Sequence, residues 1–106
     1  APRKSDYALA SAAAQINFAV GSGVTSIHLG IGSVGDFPER LDVDQLFGTP
    51  LDDAAIADAI HAAMQVVETV EDLHATAAYR KRVATELAIR ALRDARDEIS
   101  KDLINE

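Results

Sequence analysis

Polar and apolar residues alternate along two neighbouring stretches near the start of the chain. Gln15-Ile16-Asn17-Phe18-Ala19-Val20 runs polar, apolar, polar, apolar, the period of a half-buried strand. Beyond Gly21-Ser22-Gly23, residues Thr25, Ile27, Leu29 and Ile31 fall on one side and Val24, Ser26 and His28 on the other. Two alternating runs around a glycine-rich turn predict a β-hairpin, with strands near 11–20 and 24–31. Ala8 to Ala14 favours helix by intrinsic propensity, and pairing across the hairpin is expected to override it. Ile27, Leu29 and Ile31 are the predicted core face, with His28 turned away.

Farther on, the period lengthens. A short strand is expected near Glu39–Val43, then a helical turn opened by Asp42 or Asp44 and closed at Gly48. Asp52 is a good N-cap, and Asp53 in the first turn suits the positive end of a helix dipole. Ile56, Ile60, Ala63, Met64 and Val67 then share one helix face. Thr76 can cap a last helix whose predicted apolar stripe is Val83, Leu87, Ala91 and Ala95, flanked by Ala84, Ala88, Leu92 and Ile99.

Composition narrows what such a fold can do. The 106 residues fit one domain, and 48% are apolar, too many for a disordered chain. Much of that fraction is alanine, so the elements must pack closely or lean on a partner. The net charge of −7 argues against a nucleic-acid surface. Acidic residues dominate from Asp36 to Asp72, and most Lys and Arg lie between Arg80 and Lys101. That division suits either two solvated helix faces or a partner surface of mixed sign. The absence of cysteine excludes disulfides, thiolate catalysis and iron–sulfur ligation by this chain. No apolar run approaches the ~20 residues of a membrane helix, and no signal peptide is visible. The cytoplasm is the expected compartment. The chain opens on Ala-Pro-Arg-Lys, as a processed chain or a piece of a longer one would.

Gly30-Ile31-Gly32-Ser33-Val34-Gly35 is a literal G-x-G-x-x-G after a predicted strand. A dinucleotide site needs a helix starting at that loop. Asp36 would repel phosphate and Pro38 would break the helix, so a tight loop with left-handed geometry at Gly32 or Gly35 is the better reading. His28, His61 and His74 lack local metal-ligand spacing, and nothing marks a nucleophile elbow. Arg80-Lys81-Arg82 sits at the start of the last helix, where cations oppose the dipole. It reads as a solvated face or as a surface that meets an anionic group elsewhere.

The order of these elements resembles a known family. Asp6-Tyr7-Ala8-Leu9-Ala10 leads into an alanine-rich strand, a hairpin and a glycine loop ending in Pro38-x-Arg40. Leu46-x-Gly48 and Leu51-Asp52 follow, then Thr76-x-x-Tyr79-Arg80-Lys81-x-x-Ala84 and Arg90-Ala91-Leu92. Nearly the whole chain is similar to the C-terminal domain of CO dehydrogenase flavoproteins, which closes the FAD subunits of xanthine-dehydrogenase-like and aldehyde-oxidase-like molybdenum hydroxylases. Relatives often carry Gly-Gly-Val-Gly where this chain has Gly32-Ser33-Val34-Gly35, and Pro-Thr-Pro where it has Asp36-Phe37-Pro38.

The resemblance implies an α+β fold, a small antiparallel sheet of three or four strands packed against about three helices. It implies a single domain over 1–106, with the FAD-binding region absent from this chain. The implied function is that of a structural and interface domain in an electron-transfer subunit, with no catalysis of its own. FAD would belong to the preceding part of the subunit, and molybdopterin and iron–sulfur clusters to partner subunits. The partners would be the FAD-binding domain of the same subunit and the molybdenum and iron–sulfur subunits, with no nucleic acid and no membrane. Gly32, Gly35, Pro38, Arg40, Tyr79 and Arg80 are the candidate domain-interface residues. The competing expectation is a free-standing, non-enzymatic binding or scaffold protein with the same fold.

Overall fold

The computed structural model describes residues 11–32, 39–67 and 77–104. Among them are three strands, β1 (Ser11–Ala19), β2 (Gly23–Gly32) and β3 (Glu39–Arg40), and two helices, α1 (Asp53–Met64) and α2 (Ala77–Ile104). A 3₁₀ turn at Asp44–Leu46 lies between the sheet and α1. The strands form one antiparallel sheet in the order β1-β2-β3. This is the expected α+β architecture.

The hairpin forms as its alternation predicts, with one correction. Ile27, Leu29 and Ile31 are buried and His28 is exposed. Thr25, however, is exposed, and Val24 is buried in its place. The register explains it. Asn17 pairs with Ser26 and Phe18 with Val24, so Thr25 is an extra residue on β2. Such a bulge reverses the facing of everything beyond it.

The bulged end of the hairpin is held by the segment that follows β3. Val24 N–H donates to Thr49 O at 3.2 Å, and Gly48 N–H donates to Val24 O at 3.0 Å. The two chains run so close that a Cβ on Gly23 would sit 2.6 Å from the carbonyl carbon of Gly48. Gly23 also has φ 73°, so both space and backbone demand glycine there.

The core is the layer between the sheet and the helices. Val24, Ile27, Leu29 and Ile31 from β2 meet Ile56, Ala59, Ile60, Ala63 and Met64 from α1, with Leu41, Val43, Leu46 and Leu51 closing one side. Asp52 caps α1 as expected, its carboxylate accepting from Ala55 N–H at 2.9 Å. On α2 the stripe is rotated from the predicted one. Ala84, Thr85, Ala88 and Leu92 are buried, while Val83, Leu87, Ala91 and Ala95 are half-buried. The helix lies against both β1 and α1, so its central line faces the groove between them. Thr85 keeps its hydroxyl satisfied there by donating to Lys81 O at 2.7 Å.

Candidate domain interface

α2 packs on one face of the sheet with α1 beside it, and the other face is uncovered among the described residues. The period of two puts Ser11, Ala13 and Gln15 of β1 on that open face, with His28, Gly30 and Gly32 of β2. Cross-strand register brings them into rows. Ser11 pairs with Gly32, Ala13 with Gly30 and Gln15 with His28, while Gly30 also pairs with Arg40 of β3. A hollow of about 610 Å³ lies over these rows. Residues of β1, β2 and β3 line it, and no helix residue does. Its floor includes small side chains or none, and Gln15, His28, Glu39 and Arg40 line it as polar and charged groups.

Of the expected interface residues, Gly32 and Arg40 come together here. Gly32 ends β2 opposite Ser11, whose Oγ donates to Gly32 O at 3.4 Å. Gly32 is therefore a strand residue. The described glycines with positive φ are Gly21, Gly23 and Gly48. Gly35 and Pro38 lie outside the described residues, as do Asp36 and the absence of a helix expected there. Arg40 is exposed, in register with Gly30.

Tyr79 and Arg80 belong to the helical layer, near the start of α2. Tyr79 is exposed, and the Arg82 guanidinium lies 5.2 Å from its ring centroid. Arg80 is half-buried. The aromatic side chain is thus the surface group of this pair. Farther along α2, Arg96 and Ile99 approach Phe18 of β1.

The charge division of the sequence is answered in part within the molecule. Arg96 Nη1 donates to Asp53 at 2.6 Å and to Leu51 O at 2.9 Å, and Arg93 lies 3.4 Å from Asp53. The hydrogen bond from Arg96 holds the Asp53 carboxyl below the ordinary carboxylate range. The same contact pushes the Arg96 guanidinium further up. No local signal in the sequence joins residues so far apart.

Among the described residues the glycine motif does not form a phosphate-binding loop. Gly30 and Gly32 are paired in the sheet, so they form no phosphate-binding loop there. α1 opens with Asp53, a negative charge where a phosphate would have to sit. No group of three His, Cys, Asp or Glu side chains is arranged to hold a metal among the described residues.

The model of the CO dehydrogenase flavoprotein C-terminal domain matches residues 1–95. Among solved structures, a chain of quinoline 2-oxidoreductase from Pseudomonas putida 86 is similar at 27% identity and TM-score 0.80, over 92% of this chain and 35% of that one. A chain of the Hydrogenophaga pseudoflava carbon monoxide dehydrogenase that lacks the Mo-pyranopterin moiety of its molybdenum cofactor is similar at 27% identity and TM-score 0.70, over 82% and 31%. A chain of a cyanide-inactivated Cu,Mo-CO dehydrogenase follows at 26% and 0.70, over 86% and 32%. The present chain spans about a third of the length of each. None of the curated proteins matches it.

Proposed function

Because the chain belongs to the CO dehydrogenase flavoprotein C-terminal domain family, we propose that it is the structural and interface domain of the FAD-containing electron-transfer subunit of a molybdenum hydroxylase-type oxidoreductase. The observation that carries this reading is the family match over residues 1–95, joined to a shared fold that makes up only about a third of the similar chains. A domain that is one part of a larger chain has its task at the boundaries with the other parts. The paired glycines and the acidic start of α1 support a role without flavin contact through a phosphate loop.

In this reading FAD is held by the preceding region of the subunit and carries electrons away from molybdenum and iron–sulfur subunits. This chain binds and orients neighbouring domains, and no step of the reaction passes through its side chains. Gly32 and Arg40 on the open sheet, and Tyr79 and Arg80 on α2, are its contact residues. The assembly works in the cytoplasm. Among the described residues, no helix is long and apolar enough to cross a membrane.

The test begins with the reading frame that encodes Ala1. Extended upstream, it is expected to encode a flavin-binding region, and the intact subunit is expected to purify with FAD while the 106-residue chain purifies colourless. A frame without such a region, or stoichiometric flavin on the chain alone after dialysis, overturns the proposal.

A further inference from the structure

We propose that Arg96 is a latch by which α2 governs the tip of the β1–β2 hairpin, acting through the strained segment 48–51. Leu51 has φ 59° and is fully buried, although a leucine gains nothing from left-handed backbone. Its carbonyl is aimed at α2. There Arg96 Nη1 donates to it at 2.9 Å and to the Asp53 carboxylate at 2.6 Å. Two residues earlier the same segment grips the hairpin. Thr49 O accepts from Val24 N–H at 3.2 Å, and Gly48 N–H donates to Val24 O at 3.0 Å.

The segment is fixed differently on its two sides. Beyond Leu51, the Asp52 carboxylate caps α1, so the chain there follows the helix. Before it, Thr49 Oγ1 donates to Leu46 O at 2.7 Å and accepts from Leu51 N–H at 3.4 Å. Residues 46–51 are thereby knit into one turn, and a change of φ at Leu51 swings that turn against α1. The same change re-aims the Leu51 carbonyl away from Arg96 and draws Gly48 and Thr49 from Val24. The bond from α2 and the two bonds to the hairpin therefore depend on one torsion. A local element with two arrangements, biased from both sides, is what physical coupling across a fold requires. Arg96 supplies the bias toward the strained form. Its side chain is 22% exposed, and a charged donor makes a stronger hydrogen bond than a neutral one. The tip so held carries Val20 and Phe47, both large, apolar and exposed, and Phe47 bridges to Val24. With the latch closed this apolar end of the domain is rigid, and with it open the tip frays ahead of the core.

Amide hydrogen exchange in the 106-residue chain tests the latch. The readout is the protection of Val24 and Gly48 relative to that of Ile60 and Ala88, which lie within the two helices. Arg96→Met keeps an unbranched apolar stem and removes both hydrogen bonds. It is expected to lower the ratio roughly tenfold to a hundredfold, the loss that a hydrogen bond to a charged group implies. Arg93 lies 3.4 Å from the same Asp53 carboxylate, and Arg93→Met is the control that removes this neighbouring charge while leaving the carbonyl bond in place. It is expected to leave the ratio unchanged. Combined with Leu51→Gly, which makes left-handed backbone easy, Arg96→Met is expected to lower the ratio far less. Arg96→Lys, held to the same criterion, takes the place of Arg96→Met should that variant not fold. A ratio that keeps its wild-type value in the Arg96 variant, because all four amides lose protection together or none does, overturns the latch. An Arg96 effect of the same size with and without Leu51→Gly overturns it as well.

Discussion

Leu51 has φ 59°, a conformation that costs a non-glycine residue about 1–2 kcal/mol. It is also fully buried, and its carbonyl accepts from Arg96, so packing and a long-range hydrogen bond offset the strain. Nothing in the sequence marks this position, because leucine carries no preference for that conformation. Gly23 and Gly21 were legible as a turn, but their different demands were not. Both have positive φ, yet a Cβ at Gly21 meets open space and one at Gly23 meets backbone. Gly21→Ala is expected to lose about 1 kcal/mol through backbone strain alone. Gly23→Ala should lose clearly more, since the clash would force Gly48 away and with it the bonds that tie the hairpin down. Urea unfolding of the two variants checks the order, and equal midpoints would mean that the contact with Gly48 carries no energy. Leu29 is 1% exposed, and Leu29→Ala is expected to cost roughly 2–5 kcal/mol, read as a shift of the same midpoint.

At the scale of elements, the joint between α1 and α2 is where charge enters stability. Arg96 reaches from α2 to both Leu51 O and Asp53 at the start of α1. Because the folded carboxyl of Asp53 titrates below its unfolded value, its contribution is present above the unfolded pKa, near 4. The contribution is lost as pH falls through the folded pKa. The difference in stability between wild type and Asp53→Ala is therefore expected to be constant from pH 5 to 8 and to shrink below about pH 4. Denaturation at pH 7, 5 and 3 measures it, and a difference that persists unchanged at pH 3 would assign the effect to packing. The hairpin, the Asp52 cap and the apolar face of α1 were all legible, since each is written in local period and local chemistry. The bulge at Thr25 was not, because the alternation continues past it without a break. The rotation of α2 was hidden by alanine. With Ala84, Ala88, Ala91 and Ala95 on adjacent lines of the helix, the hydrophobic pattern has too little contrast to fix which line faces inward.

For the molecule as a whole, the sequence placed Arg40, Tyr79 and Arg80 on a partner surface through family resemblance, and the structure distributes them over two layers. Arg40 and Gly32 belong to the sheet, and Tyr79 and Arg80 to the start of α2. Within that start, Tyr79 reaches the surface and Arg80 is half-buried. An exposed ring with a cation stacked on it contributes roughly 0.5–1 kcal/mol where it stands. Tyr79→Ala is accordingly expected to change the stability of the 106-residue chain by less than about 1 kcal/mol. In the intact subunit the same change should lower the Tm further and weaken the union with partner subunits. Arg80→Ala is expected to register in both settings, because its half-buried stem packs within its own domain while the residue also belongs to the proposed contact. Thermal unfolding of both variants, in the chain and in the intact subunit, separates the two roles. Small and equal effects of Tyr79→Ala in both settings would remove Tyr79 from the interface.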